Sequence, residues 1–254
     1  MNKVRQYLTG GYLLRAANTL LCTSGEVLII TGFPVGETFE TDGPAGAISL
    51  YQLCERQALM PIILSDPCLI EVLATEFRCL PLATGSRTQI TASVRSLFCH
   101  SQPGLIIAIE RPGATLDGHY YNIAGKDISS LCSAAEPYFE NANCPTIAIG
   151  DGGNEIGMGN IAHCFDQLSV RGALSQCDEL IVSDVSNWGA YALCALVDWL
   201  SNRELRPDLG VSSILGYLVD RGAVDGVTGQ PTPTEDGFSE ETGVIMLNKI
   251  QDIL

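Results

Sequence analysis

The chain lacks several features that would assign it to a common class of protein. Its ten cysteines include no CxxC pair, which excludes a zinc knuckle and a dithiol redox motif. Only 14 Lys and Arg stand against 29 Asp and Glu, and the formal charge of −15 repels nucleic acid and anionic membranes. No apolar run approaches the ~20 residues that span a bilayer. A small-molecule partner and a reducing, cytoplasmic compartment are therefore expected.

The composition, 46% hydrophobic and 17% charged residues, is that of a folded protein. Short apolar runs alternate with helical segments, which predicts a three-layer, doubly wound α/β fold whose mostly parallel sheet has about six strands. With no linker or repeat, one domain is expected over 1–254. The predicted strands are 26–31, 61–64, 78–82, 105–110, 146–149 and 179–183. The predicted helices include 2–22, 45–57, 66–76, 86–100, 127–141, 161–170, 190–200 and 207–219, and 224–240 is predicted to be a loop.

The most informative stretch is TIAIGDGGNEIGMGN, at 146–160. A buried strand ends in five glycines that are interspersed with Asp151, Asn154 and Glu155. Glycine allows positive φ and the close approach of a ligand. The alternative is an ordinary tight turn with solvated acids, but polar glycine-rich loops on rigid scaffolds often carry function.

Three further predicted strands also end in polar loops. If the strands are parallel, their carboxyl ends lie along one edge, and the loops face a common crevice. The side chains expected to converge there are Asp42, Glu110, Arg111, Asp151, Asn154, Glu155, Asp184 and Asn187.

Nucleotide motifs do not fit this crevice. A Walker loop needs a lysine followed by Ser or Thr, which the glycine loop does not contain. The dinucleotide fingerprint GxGxxG fails because Glu155 occupies the place of its third glycine. Two acids in the loop would also repel phosphate unless a divalent cation lay between them.

Two chemistries stay open for the acids. Asp151, Glu155 and Asp184, together with Asp42, offer hard oxygen ligands for Mg²⁺, Mn²⁺ or Ca²⁺. Alternatively, carboxyls that share a crevice push one another's pKa values apart, which provides an acid and a base near neutral pH.

Other side chains have two interpretations each. Arg111 can bind a substrate carboxylate through paired hydrogen bonds or form a structural salt bridge. Trp188 can form an apolar wall, although core packing is favoured. Of the three histidines, His119 is the reserve acid–base candidate, because it alone lies in one of the polar loops. The apolar helix over 191–200 can pack in the core or form a homo-oligomer interface.

At these loops the sequence resembles the C-terminal half of the D-glutamate cyclases. The matching pieces, in the family's order, are TGFP at 31–34, ETDGPAGA at 40–47, ERPG at 110–113, YYN at 120–122, GDGGNEIGMGN at 150–160, SNWGAYAL at 186–193 and VDGVTG at 224–229. The long glycine motif and SNWGAYAL are the specific ones. Together the pieces cover about four-fifths of the chain.

The resemblance implies a lyase that closes D-glutamate, an amino-dicarboxylate, to 5-oxo-D-proline with loss of water. The expected catalytic residues are Asp42, Glu110, Asp151 and Glu155. The expected substrate-binding residues are Gly43, Arg111, Asn122, Gly152, Gly153, Asn154, Ser186, Asn187 and Trp188. The preference for the D over the L isomer is not set by these motifs.

Family members are also expected to carry an N-terminal half related to hydro-lyases. Three interpretations follow. This chain is a free-standing enzyme, or it works with a separate protein that supplies the other half, or it acts on another substrate. A non-catalytic module that binds a small acid or a nucleotide–metal complex is the competing hypothesis, and it predicts saturable binding without product.

Overall fold

The structure is a computed structural model and describes residue 4 and residues 6–167, 170–204 and 209–254. Its centre is a parallel sheet of six strands: β1 (Glu26–Thr31), β4 (Met60–Ser65), β5 (Cys79–Pro81), β6 (Leu105–Ile109), β7 (Thr146–Gly150) and β8 (Glu179–Val182). Two-residue strands form two small antiparallel hairpins: β2 (Pro34–Val35) with β3 (Thr38–Phe39), and β9 (Thr234–Glu235) with β10 (Phe238–Ser239). The predicted parallel sheet is confirmed.

The strand order in the sheet is β5-β4-β1-β6-β7-β8. Counted along the chain within this sheet, the order is 3-2-1-4-5-6, as in a Rossmann fold. The chain moves outward from β1 to β5 and then returns to the other side of β1, where Val27 pairs with Leu105. The direction of winding therefore switches between β1 and β6, and a crevice opens at their carboxyl ends.

The helices are α1 (Tyr12–Leu21), α2 (Pro44–Arg56), α3 (Pro67–Leu73), α4 (Arg87–His100), α5 (Glu136–Glu140), α6 (Ser186–Leu200), α7 (Val211–Val219) and α8 (Glu240–Gln251). A 3₁₀ segment, Met158–Gln167, follows the glycine loop and is kinked at Ile161. Among the described residues, no helix is long and apolar enough to cross a membrane.

Alternate residues of the strands face two separate cores, so the sheet is the middle of three layers. Val27 and Ile29 pack among α1, α2, α6 and α7, whereas Leu28 and Ile30 pack among α4 and α5. These strands are apolar on both faces, which is the pattern of a sheet covered by helices on each side.

Two predicted helices differ from the structure. The helix predicted over 127–141 is wrong before Glu136: 127–135 are irregular with one turn at 129–131, and Pro137 occupies the first turn of the short α5. The segment predicted as a helix over 161–170 is the kinked 3₁₀ segment, and its residues 168 and 169 lie outside the described residues. Parts of the helices predicted over 2–22 and 207–219 also lie outside the described residues, which contain α1 and α7.

Candidate functional site

Three carboxyl groups meet at the switch point of the sheet. Asp42 follows β3 and precedes α2, Glu110 directly follows β6, and Asp151 directly follows β7. One oxygen from each lies within 4.8 Å of the others. The parallel strands bring these residues together because each strand ends at the same edge of the sheet.

A cavity of about 410 Å³ opens beside this acid cluster. Six of the predicted site residues line it: Glu110, Asn122, Asp151, Gly152, Asn154 and Glu155. Its wall also contains Glu40, Lys126 and Asp236, which the sequence analysis did not select. A volume of this size is in the range of small-molecule sites.

Glu155 closes the glycine loop on itself. The backbone N–H groups of Gly152 and Gly153 donate to its carboxylate at 2.7 Å each, and the N–H of Asp151 donates at 3.4 Å. Burial raises the pKa of Glu155, while these N–H groups act in the opposite direction. Glu155 therefore shapes the loop that presents Asp151 to the cavity.

Asp42 caps the N-terminus of α6. The N–H groups of Ser186 and Asn187 donate to its carboxylate at 2.9 and 2.7 Å, and that of Gly43 donates at 3.0 Å. The helix dipole favours a negative charge here. Burial and the nearby Asp236 raise the pKa of Asp42, and the N–H bonds from α6 lower it.

Asn187 joins α6 to the start of α2. Its side-chain Oδ1 accepts hydrogen bonds from the N–H groups of Gly43 and Gly46, at 2.9 and 2.7 Å. Its Nδ2 donates to Oε1 of Glu235 at 2.8 Å. Asn187 is fully buried and has no access to the cavity wall, so it holds the site from behind.

Glu110 sits in a backbone conformation that side chains rarely adopt, with φ +41°. Gly43 packs directly against it: a Cβ at Gly43 would lie 2.6 Å from the Cβ of Glu110. The hydroxyl of Ser186 donates to Oε2 of Glu110 at 2.5 Å. Burial raises the pKa of Glu110 well above its ordinary value, and the charge of Asp151 adds to the shift.

Asp151 lies among several other acids. Burial raises the pKa of Asp151 well above its ordinary value, and the charges of Asp42, Glu155 and Asp236 add to the shift. The Oδ2 atom of Asp151 is buried without a hydrogen-bond partner among the described residues. It is therefore free to bind a ligand atom.

Glu40 is a fourth acid on the cavity wall and is only 8% exposed. No described residue donates a hydrogen bond to its carboxyl, and burial raises its pKa well above the ordinary value. The residue opens the motif ETDGPAGA, which was its only sequence signal. Asp236 had no comparable signal, because its segment was predicted to be an irregular loop.

Glu235 anchors this C-terminal loop to α6. Its carboxyl accepts hydrogen bonds from Asn187, from Nε1 of Trp188 at 3.2 Å and from the hydroxyl of Tyr191 at 2.7 Å. Trp188 is 7% exposed and belongs to the main core, as favoured from the sequence. These three hydrogen bonds hold the loop in place and position the neighbouring Asp236 beside the acid cluster.

Two predicted residues lie elsewhere. Arg111 is fully buried and pairs with Oδ2 of Asp66 at 2.5 Å, and it donates to the carbonyl oxygens of Gly32 and Ser133. The salt bridge is thus the interpretation that the structure supports for Arg111. Asp184 is exposed and lines a different cavity, beside α1 and α8, so it is not part of the cluster.

His119 also lies outside the cavity wall. Its Nδ1 contacts Oδ2 of Asp127 at 2.9 Å, and both side chains are about half exposed. Among the described residues that line the cavity, the titratable groups are therefore five carboxyls and the ammonium group of Lys126.

The arrangement suits two kinds of chemistry. Asp42, Glu110 and Asp151 each direct an oxygen to one point and can hold a divalent cation there. Without a cation, acids this close cannot all ionise, so a proton is shared among them and both an acid and a base are present.

The strand order and this crevice define a doubly wound α/β protein that presents carboxyl groups where nucleotide-binding proteins of the same strand order present a phosphate loop. The chain belongs to the D-glutamate cyclase-like, C-terminal family, whose model matches residues 1–251. The resemblance seen in the sequence motifs is thereby confirmed.

Among curated proteins, the chain is similar to "D-glutamate cyclase, mitochondrial" of Homo sapiens. The two are 30% identical over 295 aligned residues, which cover 94% of this chain and 47% of that protein. The chain thus spans about half the length of this relative. Among solved structures, it is similar to an exopolyphosphatase-related protein from Bacteroides fragilis, with a TM-score of 0.48 and 9% identity, covering 97% of this chain and 58% of that one.

Proposed function

We propose that this protein is a lyase that cyclises D-glutamate to 5-oxo-D-proline. In this reaction the amine nitrogen bonds to the γ-carboxyl carbon, and one γ-oxygen leaves as water. The ammonium nitrogen loses two protons, and the leaving oxygen gains two. The reaction therefore consumes no net proton, but it needs groups that move protons between two neighbouring atoms.

The observation that carries the proposal is the approach of Asp42, Glu110 and Asp151 within 4.8 Å at the edge of a small cavity. An ionised carboxyl of this cluster accepts a proton from the ammonium group, and a neutral one donates to the leaving oxygen. Such general acid–base catalysis contributes typically ~10²–10⁴ in rate. Asp151 and Glu110 are the proposed catalytic residues, because they line the cavity.

Asp42 and Glu155 act as positioning residues in this scheme. Backbone N–H groups occupy oxygens of both carboxylates, so each acid holds the shape of the site. If a divalent cation binds, Asp42, Glu110 and Asp151 would hold it, and it would polarise the γ-carboxyl group.

The test is an NMR time course with purified protein and D-glutamate or L-glutamate, each with and without Mg²⁺ or Mn²⁺. Product from the D isomer alone, above the spontaneous rate, would support the proposal. A dependence on Mg²⁺ or Mn²⁺ would decide between the cation and the proton-sharing forms of the cluster. Equal rates with and without protein would refute cyclase activity for this chain.

A second candidate is a binding module, because the chain spans only 47% of the human relative. In that case the cavity binds a small amino-dicarboxylate, and the chemistry requires a separate protein equivalent to the other half. The same samples distinguish this candidate: D-glutamate would raise the melting temperature without forming product. Addition of the protein that supplies the other half would then restore turnover.

The cytoplasmic location remains part of the proposal. The ten cysteines are free thiols, which suits a reducing compartment. The human relative is named as mitochondrial, and this name describes that protein alone. Cell fractionation with an antibody to the chain would test the location.

A further inference from the structure

Lys126 is a lone cation on the wall of the acid cavity. It is one of only three lysines in the chain, and it is the only basic residue among the described residues that line this cavity. None of the ion pairs within 4 Å among the described residues involves its ammonium group. An exposed ammonium beside so many carboxyls is therefore available to a ligand.

The loop around Lys126 fixes its backbone. Its N–H donates to Oδ1 of Asn122 at 2.9 Å, and its carbonyl oxygen accepts from the N–H of Asn122 at 3.0 Å. The carboxylate of the neighbouring Asp127 accepts from the N–H of Ser129 at 2.8 Å and contacts His119, and it forms no ion pair with Lys126. The loop thus presents a charged side chain from a defined position.

Binding of an amino-dicarboxylate in this cavity requires a cation to balance the charge of its α-carboxylate. The amine and the γ-carboxyl group must both lie at the acid cluster, because they form the new bond. The α-carboxylate then remains, bonded to the carbon that bears the amine, inside a cavity whose other charged groups are acids. A carboxylate placed there without a counter-charge would be repelled.

We propose that Lys126 binds the α-carboxylate of the substrate and thereby orients its amine toward Asp151 and Glu110. This inference rests on the proposed function and names the residue that selects amino acids with a free α-carboxylate. The acid cluster recognises the ammonium group, and Lys126 recognises the anion beside it.

The experiment compares D-glutamate with its α-amide, which keeps the amine and the γ-carboxyl group but loses the α-charge. The wild-type protein should prefer D-glutamate by roughly tenfold or more in kcat/KM, as expected for a hydrogen bond to a charged group. In Lys126→Gln this preference should disappear, mainly through a higher KM for D-glutamate. Lys126→Arg should retain most of it, because the positive charge is kept.

Lys249→Gln is the matched control, because Lys249 lies on α8 and outside the cavity wall. It should behave as wild type. If Lys126→Gln retained the full preference for D-glutamate, the inference would be overturned. A uniform loss of activity toward both compounds would also overturn it, since that result indicates a structural role.

If the wild-type protein cyclises neither compound, the proposed function fails, and thermal shift becomes the readout. A larger stabilisation by D-glutamate than by its α-amide, lost in Lys126→Gln, would still support a carboxylate site at Lys126. Equal shifts with the two compounds, or none, would overturn it.

Discussion

Replacement of Asp151 by asparagine removes one charge from the acid cluster and keeps the shape of the side chain. An oxygen of Asp151 lies within 4.8 Å of an oxygen of Asp42 and of Glu110. With an effective dielectric constant of ~20, two ionised carboxylates about 4.8 Å apart repel each other by about 3.5 kcal/mol. Burial and Asp42 raise the pKa of Asp151, so the native protein must either bear this repulsion or bind a proton to avoid it.

The sign of the effect on stability follows from the direction in which the pKa of Asp151 is shifted. A carboxyl with a raised native pKa stabilises the fold below its unfolded pKa of ~3.9, and this contribution is lost as the pH rises toward the native value. Asparagine does not titrate. Asp151→Asn should therefore gain stability relative to wild type between pH 5 and pH 8, by about 1–3 kcal/mol if part of the repulsion is relieved. For a chain of this size, each kcal/mol shifts the melting temperature by about 2–4 °C.

Differential scanning fluorimetry at pH 5 and pH 8 measures this gain, with Glu71→Gln as the control. Glu71 is an exposed acid on α3 and lies outside the cluster, so its variant should follow wild type at both values. Cyclase turnover by Asp151→Asn should fall by ~10²–10⁴ in the NMR assay. A variant that is less stable than wild type at pH 8, or one that keeps its turnover, would refute the reasoning.

Three further substitutions test other parts of the site. Glu235→Gln should lower the free energy of unfolding by about 1–3 kcal/mol, because the amide group of glutamine then faces Trp188 and Tyr191, which themselves donate. Urea unfolding followed by tryptophan fluorescence measures this loss, and an unchanged midpoint would contradict the role of Glu235 as an anchor. Gly43→Ala should destabilise the fold, whereas Gly36→Ala, also at positive φ but with open space around it, should cost less, and equal melting temperatures would contradict the close approach. If Mn²⁺ binds, Glu110→Gln should weaken its affinity by ~10-fold or more, as measured by electron paramagnetic resonance of free Mn²⁺, and an equal affinity would place the ion elsewhere.

Much of the fold could be predicted from local patterns. The runs EVLIIT at 26–31 and LIIAI at 105–109 are apolar on both faces, so a strand buried between two layers of helices was readable from each. The segment 127–141 misled because several of its residues favour a helix, while Asp127 bonds the N–H of Ser129 and forms a turn instead. The helix propensity of these residues was therefore overridden by a side-chain hydrogen bond that the sequence alone does not reveal.

The site was easiest to predict where an acid directly followed a strand. Glu110 and Asp151 satisfy this condition, and the parallel sheet brings them together without further information. Asp236 reaches them from the C-terminal loop, and this contact depends on the anchor of Glu235 to α6. Arg111 had two plausible partners in the sequence argument, and only the fold places Asp66 beside it.

The buried acids around the crevice divide into two groups by the hydrogen bonds they accept. One group is held by two or more donors and supports the structure: Asp42, Glu155, Asp225 and Glu235. In the other group, Glu110 accepts a hydrogen bond from the hydroxyl of Ser186, and no described residue donates one to the carboxyls of Glu40, Asp151 and Asp236.

All four members of the second group line the cavity. Burial raises the pKa of each of its four members, and no N–H donor opposes the shift. In the first group the pKa values of Asp42, Glu155 and Glu235 are also raised by burial, but their hydrogen-bond donors act in the opposite direction. A fold gains nothing from burying carboxyls without donors, since each costs free energy at neutral pH. A bound ligand, an ion or a shared proton would supply the missing partner, and this supports the proposal that the cavity is the functional site.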